Sequence, residues 1–105
     1  VLIDFTADWC GPCQDMKRNT FPDPQIAALL RDRFIPFKAD MTLKDSSPYQ
    51  PLAKQFNVPG YPTLIAVNAD GAPLTQPSVG NVDKSDLLRW LQAAIAASNN
   101  QRNSP

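Results

Sequence analysis

The sequence predicts an α/β sandwich, a central mixed sheet of about four strands with helices on both faces, and three observations carry that prediction. Short, largely apolar runs at 1–5, 34–39 and 63–67, the first of them β-branched, alternate with stretches of helical periodicity. Their order is strand, helix, helix, strand, helix, strand, strand, helix, which implies one right-handed parallel crossover followed by an antiparallel hairpin. At 105 residues the chain is a single domain. A chain of that size buries roughly two thirds of its unfolded surface, so its core needs no metal or disulfide framework.

The elements follow in order. Val1-Leu2-Ile3-Asp4-Phe5 is apolar except at Asp4 and reads as a buried strand. After the turn at Trp9-Cys10-Gly11-Pro12-Cys13 the chain reads as helix to about Asn19, broken by Phe21-Pro22-Asp23-Pro24. A second helix starts with Asp23 as N-cap and Pro24 at its first position, and sets Ile26, Leu29, Leu30 and Phe34 on one face. Residues 34–39 form the second strand, whose Pro36 suits an edge better than a centre. A polar stretch at 42–50 leads into a short helix near 51–56. Residues 63–67 form the third strand, and Asp70-Gly71 turns it into a fourth near 73–79. Asp83 caps the last helix, with Asp86 as a capping-box acid and Leu87, Leu88, Leu91 and Ile95 as its buried stripe. Residues 99–105 contain nothing apolar, so the expected division is a domain at 1–98 and a disordered tail at 99–105. Phe5, Met16 and Phe56 read as core.

Ten basic and ten acidic side chains cancel. That balance argues against nucleic acid or an acidic membrane surface as partner. No apolar run approaches the roughly 18 residues of a membrane span, so no direct membrane insertion is expected. No charged-then-apolar leader is visible. The chain lacks a starting methionine and opens inside a strand, which predicts a piece of something longer.

Cys10 and Cys13 carry the chemistry. Two thiols three residues apart can close a disulfide within one helical turn and reopen it, and they fall where a strand hands over to a helix. Unpaired N–H groups and the positive end of the helix dipole favour a thiolate at Cys10. Cys10 is therefore expected to be the more exposed, attacking thiol and Cys13, one turn in, the resolving one. A zinc site needs four ligands, and the chain has no histidine and no third cysteine. A purely structural staple would close too short a loop to remove much chain entropy. Asp4, in an apolar strand six residues before Cys10, would be desolvated and able to exchange the proton of Cys13. Gly11 and Pro12 set the helix start and thereby the balance of dithiol and disulfide.

The strand 2–5, the Trp9-Cys10-Gly11-Pro12-Cys13 run, Gly60-Tyr61-Pro62-Thr63 before the third strand and Gly80 ahead of the last helix resemble the thioredoxin-fold family in content and order. The likeness extends to about Ala97 and lacks the strand and helix that usually precede it in that family. Ala7-Asp8-Trp9-Cys10 followed by Thr20-Phe21-Pro22-Asp23-Pro24-Gln25-Ile26 resembles, within that fold, the C-terminal thioredoxin-like domain of DsbD-type bacterial inner-membrane electron transporters. Arg18 stands where ordinary thioredoxins carry proline, and Lys17 where the DsbD-type domain carries an acid. The resemblance implies the proton-exchanging role for Asp4, a lysine partner for it at Lys38, and a cis bond between Tyr61 and Pro62. Tyr61 and Pro62 then line a substrate groove with Trp9, Gly11 and Pro12.

The function implied is thiol-disulfide exchange, as a reductase passing electrons from the Cys10/Cys13 dithiol to disulfides of partner proteins. No cofactor beyond that disulfide and no metal is expected. The expected partners are protein thiols and disulfides together with a membrane electron-transfer domain, met by a monomer. The expected location is the bacterial periplasm, within a larger inner-membrane protein, rather than the cytoplasm. The alternatives are a stand-alone thioredoxin-like reductase or isomerase, and a non-catalytic binding module on the same fold.

Overall fold

The computed structural model describes residues 1–102. Strand β1 (Leu2–Thr6) is followed by helices α1 (Gly11–Asn19) and α2 (Pro24–Arg33). Strand β2 (Pro36–Asp40), a single 3-10 turn (Lys44–Ser46) and helix α3 (Gln50–Gln55) come next. Strands β3 (Thr63–Ala66) and β4 (Ser78–Val79) precede helix α4 (Lys84–Arg102).

The four strands form one sheet in the order β2-β1-β3-β4. β1 pairs parallel with β2 and antiparallel with β3, which pairs antiparallel with β4. Pro36 therefore lies on an edge strand, where its missing N–H breaks no central ladder. Alternation along β1 and β3 divides the core between the two faces. Leu2, Leu64 and Ala66 pack with Met16 of α1, Ile26 of α2 and Leu87, Leu91 and Ala94 of α4. Ile3, Phe5, Ile65 and Val67 pack on the other face with Ala39, Met41 and Ala53 of α3.

Local signals hold the helices in register. Asp23 accepts the N–H groups of Gln25 and Ile26, both at 3.2 Å, and Pro24 occupies the first turn of α2. Asp83 accepts the Asp86 N–H at 2.8 Å at the start of α4. Four expectations are corrected. Asp86 does not complete a capping box, because its carboxylate pairs with Arg89 one turn on. The most buried positions of α4 are Leu87, Leu91 and Ala94, with Leu88 and Ile95 only half-buried, since a methyl fits closest against the sheet and the larger chains flank it. The fourth strand shrinks to Ser78–Val79: residues 73–77 leave the ladder after a single bridge from Pro73 to Val67, and the Trp90 indole N–H holds the loop by the Gln76 carbonyl at 2.8 Å. The tail expected at 99–105 starts too early, because nothing between Asn99 and Arg102 interrupts the i to i−4 bonding of α4; residues 103–105 lie outside the described residues.

The two bonds at Asp23 give a direct test. Asp23→Ala should lower the unfolding free energy by about 1 kcal/mol in urea titrations, and Asp23→Ser should restore most of it.

Candidate functional site

β1 ends at Thr6, and the turn at 7–10 delivers the chain to the start of α1. Cys10 is the N-cap of that helix, in extended conformation, and its Sγ accepts the Cys13 N–H at 3.2 Å. Sulfur here takes the place that Ser or Asp usually fills at an N-cap, so a negative charge on it is stabilised by an amide and by the helix end. Pro12 lies in the first turn, where its lack of an N–H leaves no bond unmade. Cys10 and Cys13 are joined as a disulfide with Cα atoms 5.2 Å apart.

One expectation fails at this point. Cys10 is not the more exposed cysteine: both residues are 5 % exposed. The reason is the packing around the pair, which forms one buried cluster with Ala7 against which Tyr61 packs. What distinguishes Cys10 is its place at the cap, not its accessibility.

Asp4 takes the same face of β1 as Leu2, opposite Leu64 on β3 and beside Lys38 on β2. That face is covered by α1, whose Met16 packs against it one turn beyond Cys13. Asp4 Oδ1 is buried and has no hydrogen-bond partner among the described residues. Burial pushes its carboxyl up from the ordinary 3.8 to about 6, partly opposed by the positive charge of Lys38. The neighbouring Lys38 is itself exposed at the sheet edge.

Trp9 is 52 % exposed, which places it at the rim and not in the core. Its ring meets Tyr61 edge-on, centroids 5.8 Å apart and planes at 73°. The Tyr61-Pro62 peptide bond is cis, Pro62 is buried, and its carbonyl accepts the Gly80 N–H at 2.8 Å. Gly80 has a φ of +86°, a left-handed conformation that glycine adopts without steric cost. Thus Trp9, Cys10, Cys13 and Tyr61 come together, Gly11 and Pro12 stand exposed beside them, and Asp4 lies on the face of β1 that α1 covers.

Sequence reasoning missed Thr42. Its hydroxyl accepts the Asp8 N–H at 2.9 Å and its carbonyl accepts the Trp9 Nε1–H at 2.9 Å. Lys44, in the same loop, sets its Nζ 5.2 Å from the centroid of the Trp9 ring. The only local signal was Asp40-Met41-Thr42 at a strand end, a pattern that favours a side-chain-bonded turn without naming its partner.

Comparison with known proteins bears on the same residues. A family model described as a thioredoxin-like domain matches residues 1–95. The thiol:disulfide interchange protein DsbD of Pseudomonas fluorescens is 35% identical over 98 residues, 91% of this chain. The chain spans 16% of the length of that relative. The oxidised C-terminal domain of Neisseria meningitidis DsbD superimposes with a TM-score of 0.75 at 28% identity, covering 88% of this chain and 77% of that one. A Thermus thermophilus thioredoxin gives 0.72 at 28% identity, covering 87% and 69%.

Two predictions follow from the geometry. After reduction, limiting iodoacetamide near neutral pH should label Cys10 ahead of Cys13, read by peptide mass spectrometry; the reverse order would exchange their roles. For Asp4, the folded state binds more protons than the unfolded one between pH 3.8 and about 6, so stability should fall as pH rises through that window and level off above it. The charged form is disfavoured by about 3 kcal/mol on folding, so Asp4→Asn should match the parent at pH 3 and exceed it by up to that amount at pH 8. Parallel denaturation curves for the two proteins across pH 3 to 8 would exclude a desolvated Asp4.

Proposed function

The chain belongs to the thioredoxin-like domain family, and from that premise we propose that it is a thiol-disulfide oxidoreductase acting as a reductase of partner proteins' disulfides. The observation that carries the reading is the closed Cys10–Cys13 pair with Cys10 as the cap of α1. In the reduced chain the Cys10 thiolate attacks one sulfur of a partner disulfide. That bond breaks, one partner sulfur leaves as a thiolate that takes a proton from water, and the other is joined to Cys10. Cys13 then gives up its proton and attacks Cys10 Sγ, restoring the Cys10–Cys13 bond and releasing the second partner thiol. Two electrons have passed to the partner.

Asp4 is the proton acceptor for Cys13 in this scheme. A carboxyl near 6 is ionised at neutral pH yet basic enough to take a thiol's proton. Lys38 beside it keeps the ionised form accessible. Trp9, Gly11, Pro12, Tyr61 and Pro62 form the partner groove. The Tyr61 backbone makes no hydrogen bond among the described residues, and so has a donor and an acceptor free for an extended partner segment.

The proposed location is the bacterial periplasm, with the chain acting as a monomeric domain of an inner-membrane relay and receiving electrons from a membrane electron-transfer domain. The 35% identity to a DsbD supports it. Among the described residues no helix is long and apolar enough to cross a membrane, so a spanning partner would be a separate segment. The likeness to a thioredoxin favours a second reading, a stand-alone reductase or isomerase. A membrane-spanning block encoded upstream supports the relay, and a leader peptide alone supports the second reading.

Insulin reduction with a dithiol supply is the decisive assay. The parent should turn over, Cys10→Ser should be inactive, and Cys13→Ser should accumulate a mixed disulfide through Cys10. Asp4→Asn should keep the fold and slow the resolving step. A folded parent without turnover would leave a binding module as the better account.

A further inference from the structure

The loop after β2 is tied to the cysteine turn by hydrogen bonds that run in one direction. Asp40 Oδ1 accepts the Thr42 N–H at 2.9 Å and the Thr42 hydroxyl at 2.5 Å. The hydroxyl has one proton and gives it to Asp40, which leaves its oxygen as an acceptor for the Asp8 N–H at 2.9 Å. The Thr42 carbonyl takes the Trp9 indole N–H. One residue thereby holds the backbone and the side chain of the two residues ahead of Cys10. Its own position is fixed from behind, since the Met41 N–H donates to the Thr6 carbonyl at 2.7 Å and the buried Ser47 hydroxyl donates to the Asp40 carbonyl at 2.7 Å. The two bonds from Thr42, the hydroxyl's first, hold the Asp40 carboxyl below its ordinary range, so it stays an acceptor throughout the neutral range.

We propose that Asp40 and Thr42 are positioning residues that fix Trp9 against Tyr61 and so set the groove in which a protein disulfide lies beside Cys10. The proposal rests on the exchange reading above and adds a division of labour to it. Cys10 is held independently of the latch, by its own N–H to the Ala7 carbonyl at 3.1 Å and by the Cys13 N–H on its sulfur. Loosening the latch therefore leaves the sulfur chemistry intact and changes only the wall a partner chain meets. Partners with an extended segment depend on the latch; a small disulfide does not.

The test uses the whole chain with Thr42→Val, which keeps the shape and removes the hydroxyl, and Thr42→Ser, which keeps the hydroxyl. Insulin serves as the protein disulfide and a small aromatic disulfide as the control. Thr42→Val should raise KM for insulin about fivefold, the factor one hydrogen bond's worth of positioning carries, with kcat and the small-disulfide rate unchanged. The Trp9 indole proton, followed by NMR, should exchange faster with solvent in the same variant. Thr42→Ser should behave as the parent, and Asp40→Asn should fall between. A Thr42→Val chain with the parental KM overturns the proposal, as does equal slowing on both disulfides, which would mean that the loop acts through the sulfurs or the fold. A parent that reduces neither disulfide overturns the exchange reading itself, a result separable from failure of the latch alone.

Discussion

β1 is an inner strand with a ladder on each side, parallel to β2 and antiparallel to β3 over five and four residue pairs, and that double pairing leaves it no freedom of register. A slip of one residue would turn Phe5 toward α1 and α4 and Asp4 toward α3, putting a carboxylate where the α3 layer now holds a buried ring. With the register held, the end of β1 arrives at one place, and the turn to α1 puts Cys10 at the helix cap. Both the position of the sulfurs and the depth of Asp4 derive from this one constraint.

The same constraint creates a tension that packing alone would not choose. Asp4 sits between Leu2 and Leu64, with one oxygen buried and unpartnered among the described residues, where an apolar residue would be more stable. Against a total stability of roughly 5–15 kcal/mol for a domain, a penalty of about 3 kcal/mol is large. Lys38 offsets part of it across the ladder from an exposed position, which lowers the carboxyl without neutralising it. The outcome is a group that changes protonation state near pH 6 rather than near 4. Chemistry at a thiol can use that state, whereas a salt bridge would abolish it.

What was legible in the sequence was what is decided locally. The strand 1–5, the cap at Asp23 with Pro24 behind it, the cap at Asp83 and the cysteine turn each depend on neighbours within four residues, and the structure keeps them. Losses came where distant parts meet. Equal burial of Cys10 and Cys13 depends on Tyr61, about fifty residues away in sequence, and could not be read from their order on the helix. Residues 73 and 74 still bond to the end of β3, but the chain then leaves it, and Gln76 is held by the Trp90 indole. Thr42 reads as one more polar loop residue, because its partners lie 33 and 34 residues earlier. In each case propensity was correct about local preference and silent about which contact would win.

These long-range contacts also bear on how a chain of zero net charge would select partners under the proposed function. Without a net charge to steer association, the proposed reading leaves discrimination to shape and to backbone hydrogen bonding at the rim. The rim is made from three separate segments: Trp9 from the cysteine turn, Lys44 from the loop after β2, and Tyr61 before β3. Lys44 takes a left-handed conformation, φ 52°, which is unfavourable for a side-chain-bearing residue and turns its loop toward Trp9. Trp9 is therefore held from two directions, by the Thr42 carbonyl at the indole nitrogen and by the ring of Tyr61. A wall fixed in this way loses little conformational entropy when a partner docks, so modest contacts can be specific while the mixed disulfide stays brief.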